Sequence, residues 1–171
     1  YYKSPKELAT CVAALERQTG VTTDIFVRDN SDDNILYTRA VNEGIRKFAY
    51  SGDCDFILVL TQDAFLKENA LSELVSAMEG DPSIGIASPM QVDEKGRITW
   101  AGSLRAYPWG MHNLNPDSTE SPFSTAWSNG ACFLLRVDMP GNRIAGRKHA
   151  FYLLRLRLLI YRSCKGLEHQ C

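Results

Sequence analysis

Two carboxylates stand out by the runs that lead into them. Asp29 follows Asp24-Ile25-Phe26-Val27-Arg28, a short β-rich stretch, and opens the polar run Asp29-Asn30-Ser31-Asp32-Asp33-Asn34. Asp63 follows Phe56-Ile57-Leu58-Val59-Leu60, apolar throughout, and then Thr61-Gln62. A carboxylate at a strand end can accept hydrogen bonds from a nucleobase or ribose. A second one can bind Mg²⁺ or Mn²⁺, hard cations that prefer oxygen and bridge phosphates. Such a cation acts as a Lewis acid toward a departing diphosphate. Each site also has an ordinary alternative. An Asp-Asn-Ser-Asp run forms turns, and a lone Asp after a buried strand can cap the next helix.

The surrounding elements decide whether these carboxylates share a site. Ser4-Pro5-Lys6-Glu7 has the form of a capping box, with Pro5 at the first helical position. Leu8, Cys11, Val12 and Leu15 follow at helical spacing, which predicts a helix packed on a sheet and ended by Gly20. A second helix is predicted from about Leu36 to Tyr50, with Val41, Ile45 and Phe48 inward and Gly52 as terminator. Residues 56–60 read as a central parallel strand buried on both faces. A third helix is predicted over Glu68 to Glu79 through Leu71, Leu74, Val75 and Met78, then a strand from Ile84 to Val92. Glu94-Lys95-Gly96-Arg97 reads as a turn from which Ile98 to Trp100 pairs back. Residues 103 to 125 lack a clear period and read as a loop. Trp127 to Arg136 reads as a further core strand, with a bulge or close backbone approach at Asn129-Gly130. Alternating strands and helices imply βαβ units and a mostly parallel sheet, with an antiparallel portion after residue 84. Ligands bind such sheets beyond the carboxyl ends of the strands, which selects the Asp29–Asp33 run and Asp63.

The totals narrow the class. The 171 residues are 44% hydrophobic and 23% charged, with a formal charge of −1, so nothing marks a nucleic-acid binder. The five cysteines are odd in number and never form CxxC, which predicts reduced, buried thiols and a cytoplasmic setting. No apolar run approaches a membrane span, and no signal peptide is evident. The abrupt start at Tyr1-Tyr2 reads as a piece of something longer. His112, His149 and His169 lack ligand spacing and are expected to face solvent. Trp100, Trp109 and Trp127 read as core or loop anchors, with Trp109 also a candidate at an acceptor site.

Over residues 1 to about 139 the sequence resembles glycosyltransferase family 2, inverting enzymes with a Rossmann-like GT-A fold, and within it the rhamnosyltransferase-like members. The likeness rests on several motifs in order: Ser4-Pro5-Lys6-Glu7-Leu8, Ile25 to Asp33, Asn42-Glu43-Gly44-Ile45, Phe56 to Asp63, Pro82-Ser83-Ile84-Gly85-Ile86, and Trp127-Ser128-Asn129-Gly130-Ala131-Cys132. It implies a nucleoside diphosphate sugar donor and a glycan, lipid-linked or small hydroxyl acceptor, as in polysaccharide synthesis. By position, Asp29, Asn30, Asp32, Asn42, Gln62 and Asp63 would bind the donor, Asp29 accepting from its base and Asp63 holding Mg²⁺ or Mn²⁺ at the diphosphate. Trp127, Asn129 and Gly130 would border the acceptor. The family's metal motif is often Asp-x-Asp; here Thr61-Gln62-Asp63 keeps one carboxylate.

The last 32 residues depart from this pattern. They hold seven Lys/Arg and one acid, leaving 12 basic and 19 acidic side chains in residues 1–139. The segment charges are therefore +6 and −7. The family's Ile-Gly-x-x-Asp-Glu motif and later acidic cluster, which carry the general base, are absent, so no catalytic residue is assigned. A frameshift near Pro140 accounts for both the charge switch and the lost motifs. Read one base forward, Asn142-Arg143-Ile144 can yield Ile-Gly, and Gly146 to His149 can yield Asp-Glu-Asn-Met. Leu154 through Leu159 can yield Phe-Asp-Ser-Asp-Tyr-Ser. The rival is a basic amphipathic segment docking peripherally on an anionic membrane, although the Leu/Arg alternation from Leu154 to Leu158 suits a strand better than a helix. A non-catalytic nucleotide-sugar-binding or scaffold domain is the functional alternative.

Overall fold

The computed structural model describes residues 1–51, 53–106, 110–113, 122–139, 142–143, 157–161 and 167–168, with side chains described in 1–51, 53–103 and 122–137. Helix α1 runs Pro5–Glu16 with Pro5 in its first turn, but the Ser4 side chain makes no capping bond. The expected reciprocal box therefore does not form; the Glu7 carboxylate instead accepts from the Gln62 amide at 3.0 Å. Helix α2 covers Tyr37–Ser51, strand β1 Phe56–Leu60, strand β2 Phe65–Leu66 and helix α3 Ala70–Gly80. The expected strand 84–92 is broken into β3 (Ile84–Pro89) and β4 (Gln91–Val92), and β5 (Ile98–Trp100) pairs back on β4 as anticipated. Residues 103–125 are not simply a loop. They contain β6 (Ser103–Ala106), β7 (Gly110–Asn113) and β8 (Phe123–Thr125), the first two forming a hairpin.

Strand β9 is Cys132–Arg136, shorter than expected from the sequence, and Trp127 takes part only in an isolated bridge to Ser103. Then come β10 (Asp138–Met139), β11 (Asn142–Arg143), β12 (Arg157–Tyr161) and β13 (Leu167–Glu168). The main sheet has the order β1-β9-β3-β12-β8, and a second sheet the order β2-β13-β4-β5.

The architecture is a mixed arrangement of helices and sheet. The expectation of mostly parallel pairing fails among the described strands. β9 lies between β1 and β3 and is antiparallel to both, β12 is antiparallel to β8, and within this sheet only β3 with β12 is parallel. The reason is connectivity. Parallel neighbours need a long crossover, usually a helix, whereas between β3 and β9 the described residues form only short strands and one hairpin, β6–β7.

Side-chain alternation along β9 divides the core in two. Cys132 and Leu134 join Leu71, Leu74 and Met78 of α3 on one face. Phe133 and Leu135 join Ile45 and Ala49 of α2 on the other. Ile57 of β1 belongs to the α2 side, while Leu58 and Leu60 pack toward α3.

Two further expectations need correction. Residues 24–28 form no strand and join no ladder among the described residues, with Phe26 half-buried and Val27 42% exposed. Strand β1 is not central: it pairs with β9 and with no other described strand. The charged tail contributes β12 to the main sheet; most of the Leu/Arg alternation read over Leu154 to Leu158 lies outside the described residues. Residues 144–156, 162–166 and 169–171, on which the frameshift and membrane-docking alternatives mainly fall, lie outside the described residues. So do Trp109, His149 and His169. Among the described residues no helix is long and apolar enough to cross a membrane.

Candidate functional site

The loop after residues 24–28 and the loop after β1 are joined by the first three residues of the chain. Tyr1 donates its amino group to the Arg28 carbonyl, and its own carbonyl accepts from the Asn30 amide at 2.8 Å. These two bonds are those of a parallel bridge between Tyr1 and Asp29. Lys3 N–H donates to Ser31 Oγ at 3.0 Å. On the other side Tyr2 exchanges two bonds with the Gln62 side chain, its N–H donating to Oε1 and its carbonyl accepting from Nε2. The strip Tyr1–Lys3 thus bridges the Asp29 loop to Gln62, next to Asp63.

Each loop is held differently. Asp29 accepts from Ser31 N–H at 2.8 Å through Oδ1 and from the Tyr1 hydroxyl at 2.8 Å through Oδ2. The Ser31 bonds first, then the Tyr1 bond, hold its exposed carboxyl below the usual range. The same contact with Asp29 raises the Tyr1 phenol. The bond from Ser31 N–H two residues on is an Asx-turn, so the ordinary role foreseen for this run is real.

Arg28 turns its guanidinium onto both Asp33 oxygens, at 2.9 and 2.8 Å, and onto Glu43 at 3.1 Å. Arg28 thereby lowers the Asp33 pKa and ties the loop to α2. Asp32 is exposed and makes no hydrogen bond among the described residues. The side-chain oxygens of Asn30 and Asn42 are both buried without a partner among the described residues. An orphaned buried acceptor costs about 1–3 kcal/mol, which a hydroxyl or amide donor from a bound molecule would relieve.

On the β1 side, Thr61 is fixed by its N–H and hydroxyl donating to the Ala131 carbonyl, at 2.9 and 3.4 Å. Gln62 is committed to Tyr2 and Glu7 and has no capacity left for a diphosphate. This departs from its expected donor-binding role. Asp63 is exposed and makes no hydrogen bond or ion pair among the described residues. It does not cap α3, whose N-cap residue is Asn69.

Asp63 therefore offers a free carboxylate. Among the described residues no three His, Cys, Asp or Glu side chains converge as a metal cage. That suits a cation of the Mg²⁺ type only in its open mode, with one carboxylate and the remaining ligands from phosphate and water.

The expected acceptor-side residues Trp127, Asn129 and Gly130 are neighbours in sequence, and each contacts other parts of the chain. Asn129 Oδ1 accepts from Gln91 Nε2 at 2.8 Å and from Ala131 N–H at 3.1 Å. The Gly130 carbonyl accepts from the Tyr37 hydroxyl. A Cβ at Gly130 would lie 3.0 Å from that oxygen, so the close backbone approach foreseen there is an approach to Tyr37. Desolvation of the hydroxyl end pushes the Tyr37 phenol up to about 12, although the residue as a whole is 41% exposed. Trp127, 42% exposed, packs edge-on against Trp100 with centroids 6.1 Å apart.

Tyr1, Glu7, Arg28 and Tyr37 carry much of this geometry without having been candidates. Arg28 had a visible signal, a lone cation beside an acidic run. The others are long-range contacts with no local signature. Gly44, within the Asn42–Ile45 motif, has Phe26 3.4 Å from where its Cβ would stand, a packing role. No protein-family model matches this chain, and no curated protein matches it.

Proposed function

We propose that this chain is the donor-binding part of a glycosyltransferase resembling family 2, with a GT-A type domain over residues 1–139. It takes a nucleoside diphosphate sugar and, in a catalytically complete form, transfers the sugar with inversion to an acceptor hydroxyl at the cytoplasmic face of a membrane or in the cytoplasm. The observation that carries this is the Tyr1–Lys3 strip, which holds the Asp29 loop against Gln62 so that a free carboxylate, Asp63, stands at the same end as Asp29, Asn30 and Asp32.

In this proposal the Asp29 carboxylate, ionised at neutral pH because its hydrogen bonds lower its pKa, accepts from the base or ribose. The orphaned Asn30 and Asn42 oxygens take further donors. Asp63 would hold Mg²⁺ or Mn²⁺, which when bound supplies charge neutralisation and Lewis acidity at the diphosphate. Trp127 presents its exposed face on the acceptor side, and the Gly130 carbonyl is occupied by Tyr37.

Calorimetric titration with UDP-, GDP- and dTDP-sugars, with and without Mn²⁺, tests the proposal. One donor is expected to bind more tightly with Mn²⁺, and Asp63→Ala to abolish the Mn²⁺ dependence while leaving the fold intact. Equal affinity with and without Mn²⁺ in the unmodified chain would overturn it. The alternative, a donor-binding scaffold without turnover, is favoured by one feature of the sequence: no Ile-Gly-x-x-Asp-Glu motif follows Met139. Donor binding without hydrolysis or transfer would select it.

A further inference from the structure

Helix α1 lies along the segment that carries Asp63 and meets it with a row of side chains. Glu7 accepts from Gln62 Nε2 at 3.0 Å. The Cys11 thiol donates toward the Thr61 and Ala64 carbonyl oxygens, with Sγ at 3.7 and 3.6 Å from them. Ala14 clusters with Cys11 and Phe65. Gln18, just past the helix, accepts from Leu71 N–H at 3.0 Å and donates to the Lys67 carbonyl at 2.9 Å. Positions 7, 11, 14 and 18 are spaced by three or four residues, so they share one face. Along that face residues 61 to 71 are held in chain order.

Cys11 touches this segment at its most consequential point. Thr61, Gln62, Asp63 and Ala64 form a turn closed by the Ala64 N–H, which donates to the Thr61 carbonyl at 3.2 Å. The two carbonyls that the thiol meets are those of the first and last residues of this turn. Cys11 is 5% exposed and Ala64 0%, so the thiol meets them away from bulk solvent. Burial, and after it the nearby Asp63 carboxylate, push the Cys11 thiol up to about 11. It therefore keeps its proton at neutral pH and serves as a donor, although an S–H is a weak one.

We propose that Cys11 is a positioning residue for Asp63: its buried S–H, shared between the Thr61 and Ala64 carbonyls, fixes the turn whose third residue is Asp63. Glu7 and Gln18 secure the chain on either side of that turn. The proposal rests on the reading of Asp63 as the carboxylate that meets a metal and diphosphate. Asp63 makes no hydrogen bond of its own among the described residues. Its direction therefore comes from the backbone, and a backbone tied at both ends of a four-residue turn leaves that direction little freedom. The competing role is a thiol that only fills space beside Phe65 and Leu60.

Two substitutions separate these roles. Cys11→Val keeps apolar volume and removes the donor; Cys11→Ser keeps a donor and gives up apolar volume. Amide exchange of Ala64, followed by NMR, reads the turn without any ligand. It is expected to be at least about threefold faster in Cys11→Val, and within about twofold of the unmodified chain in Cys11→Ser even where Tm falls. Mn²⁺ broadening of the Asp63 and Ala64 signals in the presence of UDP then reads the site. Cys11→Val is expected to need at least about threefold more Mn²⁺ for the same broadening, and Cys11→Ser to match the unmodified chain. Ala64 protection kept in Cys11→Val, or lost equally in Cys11→Ser, would overturn the proposal, as would an unchanged Mn²⁺ requirement in Cys11→Val. An Asp63 signal untouched by Mn²⁺ and UDP in the unmodified chain would overturn the metal reading instead. The ligand-free Ala64 comparison would still decide whether Cys11 holds the turn.

Discussion

The two edges of β1 lead to two differently built halves of the candidate site. Along one edge β1 pairs residue for residue with β9, from Phe56 opposite Arg136 to Leu60 opposite Cys132. Behind that ladder Leu74, Met78, Cys132 and Leu134 are at most 2% exposed. Along the other edge β1 pairs with no strand among the described residues, and segment 24–28 buries none of its side chains fully. Asp63 therefore extends from a packed scaffold, whereas Asp29 hangs on the Tyr1–Lys3 strip and the Arg28 clamp. A buried backbone needs hydrogen-bond partners for its N–H and C=O groups. Residues 24–28 join no ladder among the described residues, and Phe26 and Val27 are both partly exposed.

That contrast can be broken from either side. Leu134→Ala removes a side chain packed between α3 and the sheet and is expected to cost about 2–5 kcal/mol in urea unfolding. Val27→Ala, on the unladdered segment, is expected to stay within about 0.5 kcal/mol. Equal costs would show that the two halves are equally packed after all.

Gly130→Ala comes next, at about 1–3 kcal/mol for forcing a methyl against the Tyr37 hydroxyl. Because that oxygen is the nearest of the crowding ring atoms, at 3.0 Å with Cζ at 3.2 Å, Tyr37→Phe combined with Gly130→Ala is expected to cost less than the sum of the two single changes. Strict additivity would place the strain elsewhere. Asp63→Ala should leave stability within about 0.5 kcal/mol, since an exposed, unpaired carboxylate supports no packing.

The smallest effect sharpens the Asp29 side. The folded-state pKa values of Asp29 and Asp33 are both depressed, so their contribution to loop order is present above the ordinary Asp range. It is lost as pH falls through their lowered folded values. Carboxyl-carbon NMR titration should find both midpoints below the usual 3.8. In Arg28→Gln the Asp33 midpoint is expected to climb back while Asp29 stays low, because Ser31 and Tyr1 rather than Arg28 are its main partners. A matching rise at Asp29 would mean that Arg28 holds the whole loop.

Much of this was legible locally. The spacing of Leu71, Leu74 and Met78 gave α3 within two residues at its start and one at its end, and Ile45 gave the inward face of α2, because a helical stripe is written at a period the chain itself carries. The turn at residues 94–97 was equally plain, with Asp93 accepting from the backbone of Lys95 and Arg97. The hairpin and the short strand β8 inside residues 103–125 were missed because short strands among prolines leave no period to read. Ser4 and Glu7 looked like a capping pair, yet Gln62, 55 residues away, takes the Glu7 carboxylate.

The sequence by itself determined the helices, the apolar strand that leads to Asp63 and the turn at Asp29, since each depends on neighbours a few positions away. Only the tertiary structure decided which strands adjoin and in which direction. Strand pairing is made by residues far apart, and direction follows from the connection between them: β9 came to lie antiparallel between β1 and β3, and residues 24–28 were left without a ladder. The same holds at the site. That Asp29 is engaged by Tyr1 while Asp63 stands free depends on three residues at one end of the chain crossing two loops, a contact no local pattern encodes.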